Sequence, residues 1–178
     1  MIKFIPVKTE DSRYAFIEDL LHESFPEKER REDAKQRYNV DKNPLFTTYL
    51  INDEDADINV GVITVWTFKN FCYVEHLATS PNIRNKGYGN KIIRTLLDGC
   101  EDITVVLEVE LPEDEMSKRR IGFYVRNGFR LCTKDYLQPP YRLGGKPIPM
   151  YLMFSGCETI DEDFENIKAE IYSNVYGV

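Results

Sequence analysis

Short stretches of alternating or nearly continuous apolar residues punctuate this chain, separated by segments in which apolar residues recur every three to four positions. The first kind predicts strands and the second helices. Residues 2–7 read as a short strand, and Pro6 near its end favours a sheet edge because proline cannot donate to a ladder. Tyr14, Ile17, Leu20 and Leu21 fall on one helical side, with Asp11 or Ser12 as the cap. That helix must stop before Pro26, which disfavours the α region for Phe25. Residues 27–38 predict a second, charged helix with acids leading and Lys35 and Arg37 trailing, as the helix dipole prefers. Residues 46–51, 60–68 and 71–79 predict an antiparallel meander, turned by the acidic run 52–57 and by Lys69-Asn70. A helix then carries Tyr88, Ile92, Ile93, Leu96 and Leu97 on one face. Residues 103–111 alternate as a strand in which Val106, Glu108 and Glu110 take the opposite face from Val105, Leu107 and Val109. Reaching that strand through a helix implies a right-handed crossover to a parallel neighbour. Residues 114–126 predict another helix, stopped by Asn127-Gly128. Residues 129–133 and 148–154 predict the last strands, with a Pro- and Gly-rich loop over 136–147 between them. In the tail, Ile160, Phe164, Ile167, Ile171 and Val175 line one side of a helix over 158–176. The order predicts one mixed α/β domain spanning 1–178, with its core in 2–154 and a C-terminal helical extension.

Composition narrows the function more than the fold. The formal net charge of -7 argues against a nucleic-acid binder working through a broad basic face, and is compatible with a cationic substrate. No apolar run approaches membrane-spanning length, and residues 1–7 lack the basic flank of a secretory signal. Cys72, Cys100, Cys132 and Cys157 are scattered without a CxxC pair, and there are two histidines. That usage argues against a bound metal and for reduced thiols in a cytoplasm.

Against this acidic background stands a basic island, Arg84, Lys86, Lys91 and Arg94, with no acid between residues 84 and 94. It surrounds Arg84-Asn85-Lys86-Gly87-Tyr88-Gly89-Asn90, at the junction of a strand and a helix. Glycines allow a tight turn and close approach of another molecule, and a helix N-terminus offers free N–H groups and a positive dipole end. Together they predict a pyrophosphate-binding turn. A GxG pair alone also fits a plain nucleotide-binding module. However, the turn follows an antiparallel meander instead of opening the chain, and its spacing is R-x-x-G-x-G, not G-x-G-x-x-G.

The element order, the turn at residues 84–89 with Thr79-Ser80-Pro81 ahead of it, and Phe123-Tyr124-Val125-Arg126-Asn127-Gly128-Phe129 resemble the GNAT superfamily of acetyl-CoA-dependent N-acetyltransferases, in a bacterial-type member. The first matches the family's Q/R-x-x-G-x-G/A turn and the last its F-Y-x-x-x-G-F signature, across nearly the whole chain. The resemblance implies a GNAT-like fold, with a mixed central sheet of about seven strands flanked by helices. It implies acetyl-CoA as donor, coenzyme A as product, and direct transfer of the acetyl group in a ternary complex to a primary amine of a small molecule or peptide. The backbone of Leu77, Ala78 and Thr79 would hold the pantetheine arm, provided this strand splays from the next. The pyrophosphate would sit on the amides from Asn85 to Asn90. Ser117 stands where the family often has an Asn that contacts the cofactor. Tyr124 corresponds to the usual general acid.

The acceptor amine must lose a proton, since a lysine-like amine has a pKa of about 10. A carboxylate facing the pocket can take it. Glu75 is the candidate base: in a regular strand it shares a face with Tyr73, Leu77 and Thr79, and a charge there is expensive unless paired or solvated. His76 points the other way and becomes a rival only if a bulge re-aims it. Phe25, Glu27 and Glu29 at the first helix junction, with Tyr141 and Arg142 of the Pro-rich loop, are candidate substrate contacts. The expected partner is an amine acceptor, without nucleic acid or membrane, for a monomer or homodimer. The competing class is an acyl-CoA-binding regulatory or scaffold domain that keeps the turn without turnover.

Overall fold

A computed structural model describes residues 1–178. Seven strands form one twisted sheet: β1 (Ile2–Pro6), β2 (Phe46–Asp53), β3 (Ile58–Thr67), β4 (Phe71–Thr79), β5 (Thr104–Glu110), β6 (Arg130–Gln138) and β7 (Ile148–Ser155). Their spatial order is β1-β2-β3-β4-β5-β7-β6, so the Pro6-bearing strand is an edge, as expected. Only β4 and β5 run parallel; every other neighbouring pair is antiparallel.

The helices are α1 (Tyr14–Ser24), α2 (Asp33–Lys42), α3 (Tyr88–Asp98), α4 (Glu115–Arg126) and α5 (Phe164–Ile171), the last running on into a π-helical turn, Tyr172–Tyr176. One face of the sheet presents Phe46, Val62, Trp66, Tyr73, Val106 and Leu152 to α1, α2 and α5. The other presents Ile63, Val74, Val105, Leu107 and Met153 to Ile92, Ile93 and Leu96 of α3. The tail residues Ile160, Phe164, Ile167, Ile171 and Val175 are all buried in the first of these cores. No helix is long and apolar enough to cross a membrane.

Several boundaries differ from the sequence expectation; the C-terminal helix, expected over 158–176, begins only at Phe164. α1 begins one turn-step later than a cap at Asp11 or Ser12 implies; the Asp11 carboxylate instead accepts the backbone N–H of Arg13 at 2.9 Å. The charged helix over 27–38 does not form as one piece. Glu27–Glu29 make a 3-10 turn, and α2 starts only at Asp33, with Arg30 and Glu32 in extended conformations between. The reason is tertiary: this break turns Arg31 into the core, where it is 5 % exposed. Finally, Tyr136 to Gln138 belong to β6 and not to the loop; pairing of Tyr136 with Met150 and Gln138 with Ile148 resumes after an irregularity that follows Cys132.

Candidate active site

The site begins with two defects in β4. Thr64 of β3 pairs with His76 and Val65 pairs with Val74, so Glu75 is an extra residue without a β3 partner. This β-bulge breaks the alternation and puts consecutive side chains, Glu75 and His76, toward the α1–α2 face, while Leu77 packs in the α3 core. The regular-strand expectation, that Glu75 shares its face with Leu77 and Thr79, is therefore corrected. On its other edge β4 pairs with β5 only from Phe71–Thr104 to Val74–Leu107. Past that point the strands part, and the edge from Glu75 to Thr79 has no partner in β5, the condition set for a pantetheine-binding edge.

A cleft of about 340 Å³ opens where the strands diverge. Leu77, Ala78, Thr79, Arg84 and Tyr124 border it on the α3–α4 side, and Phe25, Glu29, Glu75 and Glu108 on the other. It continues into a smaller recess of about 130 Å³ that Tyr141 joins, together with Gln138, Ile148 and Met150. The fold thus gathers Glu75, Tyr124, Phe25, Glu29 and Tyr141 around one space. Glu27 and Arg142 are not brought into it; they pair with each other at 3.6 Å, and Arg142 also donates to the carbonyl of Arg30.

Glu75 has a side chain with no solvent exposure, in an ion pair with Arg31. Both carboxylate oxygens receive Arg31 N–H groups, and one also accepts the Trp66 indole N–H at 2.9 Å. Arg31 is held in turn by the Gln36 amide oxygen at 2.6 Å, and its guanidinium lies 5.5–5.6 Å from the ring centres of Phe46, Trp66 and Tyr141. Burial pushes the Glu75 carboxyl up, but the Arg31 charge and these hydrogen bonds outweigh it and leave the group below the usual carboxylate range. Such a carboxylate is a weak proton acceptor.

Glu108, which the sequence reading placed in β5 but gave no role, is different. Its partners are all neutral: the hydroxyls of Tyr136 at 2.5 Å and Tyr176 at 2.8 Å, and the Gln138 amide at 2.5 Å. Burial raises its carboxyl above an ordinary glutamate, and the hydrogen bonds offset this only in part. The signal was available: the cost argument applied to Glu75 holds equally for a glutamate between Leu107 and Val109. Arg31 and Tyr176 carried no such local sign.

Tyr124 packs edge-on against Phe123 and Phe129, and its hydroxyl makes no hydrogen bond within the protein. Burial raises its pKa, opposed by Arg120. Ser117 is 3 % exposed and its polar groups are spent on a capping box: its hydroxyl donates to the Asp114 carbonyl at 2.9 Å and accepts the Asp114 N–H, while the Asp114 carboxylate takes its N–H at 2.7 Å. The serine expected to stand in for a cofactor-contacting Asn thus has its hydroxyl engaged in the cap of its own helix.

At the turn, Asn85 and Gly87 adopt positive φ of 64° and 78°, and α3 starts at Tyr88 immediately after. The first N–H groups of α3 have no intrahelical acceptor. Gly89 lets α3 approach α4, since a Cβ there would lie 3.2 Å from the Phe123 ring. Tyr88 bonds Asp53 at 2.9 Å and Asn90 accepts from Asn127 at 3.0 Å, which anchor the turn. Arg84 and Lys86 are exposed. No intramolecular ion pair within 4 Å neutralises Arg84, Lys86, Lys91 or Arg94. A cradle of free amides ringed by unpaired cations fits a pyrophosphate.

Comparison with known proteins agrees with this geometry. No curated protein matches the chain. Among solved structures, a Bacteroides thetaiotaomicron protein assigned to the GNAT acetyltransferases is similar over 99 % of both chains, with 45 % identity and a TM-score of 0.94. The Arabidopsis thaliana NAA60 complex with a bisubstrate analogue (17 % identity, 89 % of this chain and 100 % of that one, TM-score 0.63) shares the fold. So does the ribosomal-protein-S18-alanine N-acetyltransferase of Escherichia coli (17 %, 90 % and 98 %, 0.60). The model of the acetyltransferase (GNAT) family matches residues 14–129. With the split strands, the R-x-x-G-x-G turn and this match together, the chain belongs to the GNAT family, whose members use acetyl-CoA, and is an N-acetyltransferase.

Proposed function

We propose that this enzyme moves an acetyl group from acetyl-CoA directly to a primary amine of a small molecule or peptide, both bound at once, and that Glu108 rather than Glu75 takes the amine's proton. The observation that carries the reading is the contrast between the two carboxylates. Glu75 is already neutralised by Arg31, whereas Glu108 lines the cleft with only neutral donors around it and lacks a cation. An ammonium entering the recess supplies that cation, and the carboxylate of Glu29, which has no ion-pair partner, favours its approach, whereas Glu110 at the same rim is paired with Arg120 at 2.9 Å.

In this reading the turn from Asn85 to Asn90 holds the pyrophosphate through its amides, with Arg84 and Lys86 adding charge. The unpaired edge at Leu77, Ala78 and Thr79 holds the pantetheine arm. Bound acetyl-CoA supplies the acetyl group and departs as coenzyme A. Glu108 accepts a proton from the ammonium, directly or through a water, so that the nitrogen lone pair can form the N–C bond as the C–S bond breaks; the nitrogen's second excess proton then passes to solvent, from which Tyr124 is reprotonated. Tyr124, with its hydroxyl unspent, donates a proton to the departing sulfur. Phe25 and Tyr141 pack the acceptor's apolar part, and Glu75 with Arg31 fixes the bulge that shapes the recess.

General acid–base assistance contributes about 10²–10⁴ in rate. Glu108→Gln should therefore lose roughly that factor in kcat, with acetyl-CoA affinity within about twofold of the native enzyme. Because the Glu108 carboxyl is raised above the ordinary 4.5, the rise of kcat/KM with pH should begin above that value and vanish in the variant. Coenzyme A release measured across a panel of monoamines, polyamines, amino acids and peptides gives the acceptor class. Full activity of Glu108→Gln on the best acceptor would return the base role to another group.

A further inference from the structure

On the far side of the bulge, between α1, α2 and β4, lies a small cavity of about 20 Å³. Three of the side chains lining it each carry a fully buried polar atom without a partner: the Tyr14 hydroxyl, Nε2 of Gln36 and Nδ1 of His76. Buried polar groups are overwhelmingly satisfied, so three orphans around one void are not accidental. The void exceeds the roughly 10–15 Å³ that one water's centre needs, and the water needs two to four polar partners.

The donors and acceptors can be assigned. Nε2 of His76 lies 2.9 Å from the carbonyl oxygen of Glu29, which can only accept, so Nε2 carries the hydrogen. The ring is fully enclosed, and burial lowers its pKa despite nearby Glu75, so the imidazole is neutral and Nδ1 is a bare acceptor. The Gln36 amide has its oxygen on Arg31, which can only donate, so its NH₂ is the group left over. Tyr14 can give or take. One donor, one acceptor and one ambivalent hydroxyl are what a single water satisfies.

We infer that this cavity is a built water site, in which one ordered water accepts from Gln36, donates to Nδ1 of His76 and bonds the Tyr14 hydroxyl, thereby holding His76 in the Nε2–H tautomer that pins Glu29 at the rim of the acceptor recess. The water site stands whether or not the acetyl-transfer roles above hold; only the effect on the acceptor rests on that reading. His76 is on this account a positioning residue. It faces the same side as Glu75 because of the bulge, yet its work is to fix the 3-10 turn that carries Glu29.

A crystal structure of the native protein resolving ordered solvent should show one water within hydrogen-bond distance of all three atoms, and ¹⁵N NMR should show His76 as the neutral Nε2–H form. An empty cavity, or a proton on Nδ1, would overturn the site. In Tyr14→Phe, which removes a single hydroxyl and leaves the Gln36–Arg31 bond in place, the water should be lost or disordered and the His76 signals should broaden or shift. The acceptor KM should then rise about three- to tenfold, with kcat and the acetyl-CoA KM within about twofold. An unchanged acceptor KM in a variant shown to lack the water would refute the positioning role while leaving the site itself intact.

Discussion

Replacing Arg31 by methionine tests the central claim that Glu75 is a structural carboxylate neutralised from within. Arg31 is 5 % exposed and Glu75 wholly buried, so neither charge has water to fall back on. The substitution keeps an unbranched apolar stem in place of the Arg31 methylenes. It removes the guanidinium that serves both Glu75 oxygens, the Gln36 amide and the Val175 carbonyl, and faces three aromatic rings. Glu75 keeps only the Trp66 indole N–H. Breaking a buried pair from one side costs about 3–5 kcal/mol, which for a chain of this size lowers Tm by about 6–20 °C. The double variant Arg31→Met/Glu75→Gln removes both charges and should recover more than half of that loss, since a neutral pair has no stranded ion. Urea unfolding of the native protein, both single variants and the double variant closes the cycle, read at constant m. The sign with pH is fixed as well. The Glu75 pKa is depressed in the folded protein, so its contribution to stability is present above the ordinary 4.5 and is lost as pH falls through the lower folded value. Arg31→Met should abolish this part of the acid destabilisation. A loss below about 1 kcal/mol, or no coupling between the two sites, would show that the pair does not hold the bulge.

Other expectations follow from the same geometry. Tyr124→Phe should lower kcat by about 10²-fold or more while acetyl-CoA still raises Tm as in the native protein; an unchanged rate removes Tyr124 from the reaction. Arg84→Ala with Lys86→Ala should raise the acetyl-CoA KM and flatten its dependence on ionic strength, measured between about 0.01 and 0.15 M salt, and an unaltered salt response would place the pyrophosphate elsewhere. Gly61→Ala would put a Cβ 2.2 Å from the Ala78 carbonyl oxygen, which must displace β3 from the working edge of β4. We expect a loss of about 1–3 kcal/mol by thermal or urea unfolding together with weaker acetyl-CoA binding, and native behaviour in both would contradict the close approach.

The features readable in the chain were those that repeat or that sit close together in it. Period-two and period-3.6 patterns marked all seven strands and the apolar side of the C-terminal helix, because burial on one face leaves that trace in any sequence. The turn at residues 84–90 was equally open to reading, since glycine conformation, helix start and unpaired cations all lie within a few residues of one another. What needed the assembled sheet was the pairing of residues far apart. Arg31 looked like one more charge on a polar helix until Glu75, 44 positions later, drew it inward and broke that helix. The bulge at Glu75 leaves no mark in β4 itself, because it is a register difference against β3. Glu108 acquired its neutral shell from Tyr136, Gln138 and Tyr176, brought over from β6 and the chain's end. Local propensity and periodicity therefore set the elements and the cofactor turn. Which buried carboxylate meets a cation and which meets only neutral donors was decided by long-range pairing, which no window of sequence contains.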